Sequence, residues 1–334
     1  MRKGTFAYYG SKLLIFILSI ALLSVLVFYI SRLAPGDPLV AYYGERAEKM
    51  SPEEKAQTME RLKLNEPIHA QYGEWLKMAL KGDFGISYKY KMDVLEVISG
   101  RIGNTLILGG IGFILTFVLA LLLGVFCAWF EDKWPDKLLC RVGTITSCIP
   151  EFWFSLVLIL VFCVIWRILP SSNAYSSGHE HDIIDRARHL VLPMAVVVFS
   201  HLWYYAYMIR NKLLEEIRAD YVLLARAKGL SRRKILFSHC LRNIMPAYIS
   251  LMAISVPHIL GGTYIVETVF SYPGVGLLSY ESARYHDYNM LMVLCLMTGV
   301  LVILSGIIAQ IINERIDPRM RDNEMNETTE VSER

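Results

Sequence analysis

Six apolar runs separated by polar segments set the pattern of this chain. Leu13 to Ser31 is uncharged and matches the ~20 residues that a helix needs to cross a bilayer. Ile102 to Phe130 is also uncharged and carries Gly103, Gly109, Gly110, Gly112 and Gly124, small residues that let helices pack closely. A third run follows Arg141 and reaches Ile168, interrupted by Pro150-Glu151. A carboxylate inside a span is costly, so Glu151 is expected at the membrane interface, within reach of water. Leu190 to Ile209 is the fourth run, with His201, Trp203, Tyr204, Tyr205 and Tyr207 crowding one end as an aromatic belt would. The fifth starts near Pro246 and contains Pro257-His258 and Gly261-Gly262. Pro and Gly there predict an irregular helix whose freed backbone groups face protein or a cavity. Tyr288 to Asn313 is the last run. The pattern predicts an all-α polytopic membrane protein with six transmembrane helices and both termini cytoplasmic. A signal peptide competes for the first run, but that run is long for one and no A-x-A-like site follows.

The polar segments carry their own signals. Ala34-Pro35-Gly36-Asp37-Pro38 reads as a stiff turn at the membrane surface. Ser51-Pro52-Glu53-Glu54 is a helix start, with Pro at the first helical position and acids in the first turn. Leu62, Leu64, Ile68, Tyr72, Trp75, Leu76 and Leu80 suggest short amphipathic helices, and Gly82 to Ser87 a glycine turn. Residues 33–101 are therefore expected to form an extracytoplasmic cap. Glu131 to Arg141 reads as a short charged loop. His179 and His181 stand in a polar loop without partners in the pattern, so no metal site is expected there. Acidic, Thr- and Asn-rich residues after Met320 read as a disordered cytoplasmic tail.

Composition agrees with the apolar pattern: 54% of residues are hydrophobic, 19% are charged, and the mean hydropathy is +0.39. The formal net charge of +3 is too small to imply a nucleic-acid partner. Cations nevertheless concentrate in the segments that alternation places inside, which supports the orientation. None of the six cysteines lies in a predicted external segment and no C-x-x-C occurs, so neither a disulfide framework nor a zinc site is expected.

The charge concentrates in one place, Arg210 to Pro246, where nine cations stand against three acids. Leu213, Leu214, Ile217, Tyr221 and Leu224 recur at helical spacing, predicting one amphipathic helix. Gly229 ends it, because only Gly takes the left-handed conformation of a helix terminus without steric cost. Leu230 is placed to fold back on Leu224 or Ala225, and Ser231 can cap a second helix towards Pro246. Two helices about a glycine turn also describe a helix-turn-helix DNA reader. The apolar flanks leave too little linker to reach a duplex, so a rigid docking element for a protein partner fits better.

Asp220-Tyr221 followed by Ala225-Arg226-Ala227-Lys228-Gly229-Leu230 resembles the cytoplasmic coupling loop of ABC-importer permeases, most closely the dipeptide/oligopeptide/nickel group. His239, Arg242-Asn243 and Pro246 continue that pattern, while the family's Glu-Ala-Ala triplet reads Leu223-Leu224-Ala225, a departure associated with the peptide subgroup. Ala34 to Pro38, Gly82-Asp83-Phe84-Gly85-Ile86-Ser87, Asn104-Thr105, Asp317-Pro318-Arg319 and the string Glu267 to Gly276 are similar to further motifs of the group. The resemblance implies a type I importer permease fold in the cell membrane. It divides the chain into an N-terminus with first span (1–32), the cap (33–101), a five-span core (102–313) with coupling loop 210–246, and a tail (314–334). It also implies a second homologous permease, two cytoplasmic ATP-binding subunits that hold the ATP, an extracytoplasmic substrate-binding protein, and alternating access as the mechanism. Pro257, His258, Gly261 and Gly262 are the candidates for the translocation path.

No phosphate-binding G-x-x-x-x-G-K-[ST], nucleophile elbow or paired-carboxylate arrangement is present in the sequence, so no catalytic residue and no resident cofactor are expected. Di- and oligopeptides are the expected substrates, with nickel, metal-chelate or glutathione-like substrates as the alternative. Two readings from other classes remain: an ion-coupled secondary transporter, for which only Glu151, His201 and His258 could serve, and a membrane-tethered DNA-binding regulator.

Overall fold

The computed structural model describes residues 2–33, 39, 43–61, 64–87 and 89–316. The Ala34–Pro38 turn, Leu62, the Asp317-Pro318-Arg319 ending and the expected tail lie outside the described residues. Among those residues the chain is helical, with no strand and one isolated bridge between Ile86 and Asp93. It divides into two units, residues 1–105 with 271–304, and residues 106–270 with 305–334.

In the first unit, α1 (Arg2–Leu33) is the first apolar helix. Helix α2 (Pro52–Arg61) starts as the sequence predicts. The Ser51 amide donates to Glu54 Oε2 at 2.9 Å and the Glu54 amide to Ser51 Oγ at 3.2 Å, which satisfies two otherwise orphan donors. Helix α3 (Ile68–Ala79) lays Tyr72 and Trp75 on Phe28 of α1, with ring centroids 5.4 and 5.6 Å apart, and Met292 completes the cluster. Helix α3 is thus fastened to α1. A second cluster gathers Val94, Val97 and Ile98 against Val275, Leu278, Met290 and Leu294. Each such side chain contributes about 1.5–3 kcal/mol on burial.

Helix α4 (Val94–Trp129) starts earlier than the apolar run. Asp93 Oδ1 accepts the Leu95 amide at 2.8 Å, so a capping carboxylate fixes the start ahead of Ile102. In the second unit, close approach explains the glycines of α4. A Cβ at Gly124 would come within 2.7 Å of Ile209 and 3.0 Å of the Ala206 carbonyl. Gly109 and Gly112 are similarly overlain by Leu260 and Val197, whereas Gly110 meets nothing.

The third span departs from expectation. The charged loop is the start of a helix, α5 (Trp134–Ser147), and a second helix, α6 (Glu151–Ile165), follows at 99° to it. Pro150 sets that bend: it has no N–H to continue a helix, it restricts the residue before it, and its own backbone is extended at φ −63° and ψ 139°. α6 closes in a π-helical stretch, Ile159–Ile165. The elements α7 (Ile183–Ile217), α8 (Asp220–Ala227), α9 (Arg232–Val269), α10 (Val275–Arg284) and α11 (Tyr288–Ile316) complete the chain. Helices α1, α4, α7, α9 and α11 are each long and apolar enough to span a membrane, and the bent α5–α6 pair makes a sixth. The helix that carries the fifth span begins well ahead of Pro246: α9 runs unbroken from Arg232 through a π-helical stretch at Ile235–Cys240 and past Pro246 and Pro257.

Candidate coupling loop and a polar cluster in the second unit

The basic stretch is built around two breaks. The sequence pattern puts Leu213, Leu214, Ile217, Tyr221 and Leu224 on one face of one helix. Instead α7 stops at Ile217, Ala219 is extended at φ −70° and ψ 151°, and α8 restarts at Asp220. That break resets the helical phase. Leu213 and Leu214 are buried, but α8 buries Val222 and Ala225 and turns Leu223 and Leu224 outward, 61% and 57% exposed. Asp220 lies in the first turn, where an acid suits the helix dipole, and Arg226 in the last, where a cation does.

The second break is the one that Gly229 predicts. Gly229 has φ +76°. The Leu230 amide donates to the Ala225 carbonyl at 3.2 Å and the Gly229 amide to the Arg226 carbonyl at 2.9 Å. This pair of bonds, six-to-one and five-to-two, is the Schellman terminus. Ala227 is the last helical residue and Lys228 the cap. Ser231 then accepts the Lys234 amide at 3.4 Å and opens α9. A Cβ built on Gly229 would meet nothing, so the turn needs glycine for its dihedral and not for space.

A carboxylate that the sequence presents only as one of three acids holds this angle. Glu216 Oε2 accepts from Tyr221 at 2.5 Å and from Asn243 at 3.2 Å, tying the end of α7 to α8 and α9. Burial, and then the Glu216 carboxylate beside it, push the Tyr221 hydroxyl far above its ordinary pKa. Four of the nine cations are bound within the fold, among them Lys212, which donates to Glu215 at 2.8 Å. Arg210 is bidentate to the buried Asp136 at 2.7 and 2.6 Å. Arg218 donates to Glu131 at 2.6 Å, and Arg232 to the Trp129 carbonyl at 2.6 Å. Charge spent on internal ties is not available to a nucleic acid.

A second feature brings α6, α7 and α9 together. Glu151, the first residue of α6, faces inward: its Oε1 lies 4.0 Å from His201 Nε2. Its Oε2 is buried and makes no hydrogen bond, an omission that generally costs about 1–3 kcal/mol. Glu151 is therefore packed among helices, with about a fifth of its side chain exposed. His201 Nδ1 lies 2.8 Å from the Val197 carbonyl. A carbonyl only accepts, so this nitrogen carries the proton. The His258 ring stands edge-on to His201, centroids 5.6 Å apart. A Cβ at Gly262 would lie 2.8 Å from His201 Cε1 and 3.5 Å from Glu151 Oε1. Of the path candidates, Gly262 is packed into this cluster, Pro257 is half-buried, and His258 and Gly261 are exposed on α9.

Two further motifs fall in the first unit. Gly82 and Gly85 have φ +84° and +85°. Asp83 Oδ1 accepts the Gly85 amide at 2.9 Å, and Ser87 donates to the buried Asp287. Asn104 donates to the Pro273 carbonyl at 2.8 Å and Thr105 Oγ1 accepts the Val275 amide at 2.7 Å, so Asn104-Thr105 pins the Pro-Gly turn ahead of α10. Helix α10 itself is absent from the sequence reading. Lys89 and Tyr90 both bind its Glu281, Lys89 at 2.8 Å.

Comparison with known proteins bears on this arrangement. Residues 120–322 match the family described as binding-protein-dependent transport system inner membrane component. The oligopeptide transport system permease protein AppB of Bacillus subtilis is 33% identical over 299 residues, 89% of this chain and 94% of that protein. The metal-staphylopine import system permease protein CntB of Staphylococcus aureus is 30% identical over 304 residues, covering 91% and 94%. The dipeptide transport system permease protein DppB of Escherichia coli is 28% identical over 320 residues, covering 90% and 94%. Among solved structures, a chain of the MetNI methionine ABC transporter in inward-facing form aligns with a TM-score of 0.54 at 17% identity, covering 66% of this chain and 97% of that one. The helical order, the glycine-terminated loop and these matches agree: the chain belongs to the binding-protein-dependent transport system inner membrane component family, the multi-pass membrane permeases of ABC importers.

Proposed function

We propose that this chain is one of two permease subunits of an ATP-driven importer of di- and oligopeptides. It forms half of the translocation path and has no catalytic site of its own. Both termini and the loop 210–246 face the cytoplasm, where one of two ATPase subunits grips α8. Residues 33–101 face outward and meet the substrate-binding protein.

The observation that carries the reading is the continuity between α8 and the path candidates. Leu223 and Leu224 stand outward on α8. The Schellman turn at Gly229 and the Glu216 tie fix α8 against α9. α9 then continues without a break to Pro257, His258, Gly261 and Gly262. A push on α8 reaches the path as a rigid-body movement, the element that alternating access requires.

Peptides as cargo follow from the names of the AppB and DppB relatives. A metal chelate is the second reading, supported by the CntB relative. The test is uptake by the reconstituted complex of both permeases, ATPases and binding protein. ATP-dependent accumulation of a labelled tripeptide, unaffected by a metallophore chelate, is the expected result. Accumulation of the chelate alone establishes the second reading, and uptake driven by an ion gradient without ATP refutes both.

A further inference from the structure

We propose that Glu151, His201 and His258 form a cation-accepting station on the translocation path, where the ammonium group of a substrate is held in transit. The proposal rests on the reading of this chain as a permease and adds a specific recognition chemistry to it.

The argument is one of unmatched acceptors. His201 Nδ1 donates to the Val197 carbonyl, and with the ring neutral Nε2 presents a lone pair. Nε2 faces Glu151 Oε1, another acceptor, across 4.0 Å. Glu151 Oε2 has no partner although it is buried. With the ring neutral and the carboxyl ionised, three acceptor atoms on two helices converge without a donor among them, and among the described residues no lysine or arginine pairs with the carboxylate. An ammonium group carries three donors and one positive charge, and it supplies what all three atoms lack. The α-ammonium of a peptide with a free N-terminus is such a group.

The gap is kept open by the backbone. A side chain at 262 would press on His201 Cε1 at 2.8 Å and reach Glu151 Oε1 at 3.5 Å, and glycine leaves that space clear. Access comes from the side of α9 where exposed His258 and Gly261 lie, with Glu151 itself one-fifth exposed. A carboxylate in such surroundings is weakly screened and acts strongly on a passing charge.

The test uses charged thiol reagents on the assembled complex. The native cysteines are replaced, and Gly261→Cys is introduced, a position where a Cβ meets nothing. Its labelling rates are compared for a methanethiosulfonate bearing trimethylammonium and one bearing sulfonate. With Glu151 present the cationic reagent should be preferred, and Glu151→Gln should reduce the preference about tenfold. Glu151→Asp should keep it. A second arm leaves position 151 unchanged: methylammonium should slow the labelling at position 261 and acetate should not. An unchanged preference in Glu151→Gln overturns the station, because it means that His201 is an imidazolium cancelling the carboxylate. A thiol at position 261 that is inert to both reagents in every nucleotide state, or no protection by methylammonium, overturns it equally. Neither arm uses a peptide. Failure here therefore leaves the uptake assay free to decide the wider reading, and failure of peptide uptake leaves the charge preference measurable.

Discussion

Glu281 shows how one side chain can fasten a loop. Burial alone would push its carboxyl up, but the bonds from Lys89 and Tyr90 outweigh that and hold it below its ordinary value near 4.5. The sign of the linkage follows. A carboxylate whose folded pKa is depressed contributes stability above its unfolded value, and loses it as pH falls through the lowered one. The turn from Gly82 to Asp93 should stay closed at neutral pH and open progressively below about pH 4.5. Amide exchange at Ser87, Lys91 and Val94, corrected for intrinsic rates, measures this. Glu281→Gln should raise exchange at neutral pH, since an amide keeps only part of the carboxylate's bonding, and should flatten its acid dependence. An unchanged profile in the variant would remove Glu281 from the account. Glu216 and Gly262 are comparable single-residue devices. In each case the residue is plain in the sequence, but its partner is not. Tyr221 and Asn243 lie 5 and 27 positions from Glu216, and no local pattern joins them.

Helices were legible where hydrophobic periodicity or a cap declares them. Ser51, Pro52 and Glu54 announce α2, and Gly229 and Ser231 announce the turn into α9. Breaks without a declared signal were not legible. The α7–α8 break falls at Arg218-Ala219, residues that a helix accepts readily, and tertiary bonding rather than propensity decides it. Pro150 was visible, but the 99° bend needed the amphipathic α5, which was hidden as a charged loop. Helix α10 follows the Pro-Gly turn so closely that motif and helix merge in the sequence. The proposed cap divides by burial. Trp75 of α3 is buried against α1, whereas α2 buries nothing. An exposed helix that contributes no core is free to serve a partner. Replacing Pro52–Arg61 with a Gly/Ser linker should leave the complex assembled and its basal ATP hydrolysis intact, because few core contacts are lost. Stimulation by the binding protein should fall severalfold. Full stimulation in that variant would assign the binding-protein contact elsewhere.

The second unit joins α8, the proposed docking helix, to the proposed path through one turn and one unbroken helix. The function proposed for the chain depends on that join being rigid, and Gly229 is where rigidity can be altered without touching a span. Its Cβ would meet no atom, so substitution acts through the dihedral alone. At φ +76° alanine costs about 1 kcal/mol, and a β-branched side chain costs more. Gly229→Val should therefore insert and pair with the second permease as the parent does, but present Leu223 and Leu224 at the wrong angle. Gly229→Ala should be intermediate. The decisive measurement is the number of substrate molecules imported per ATP hydrolysed in proteoliposomes carrying Gly, Ala or Val at 229. The account predicts that the ratio declines in the order Gly, Ala, Val, while assembly stays constant. A valine variant that imports as many molecules per ATP as the parent would contradict it, and the turn at Gly229 would then not be the transmission element.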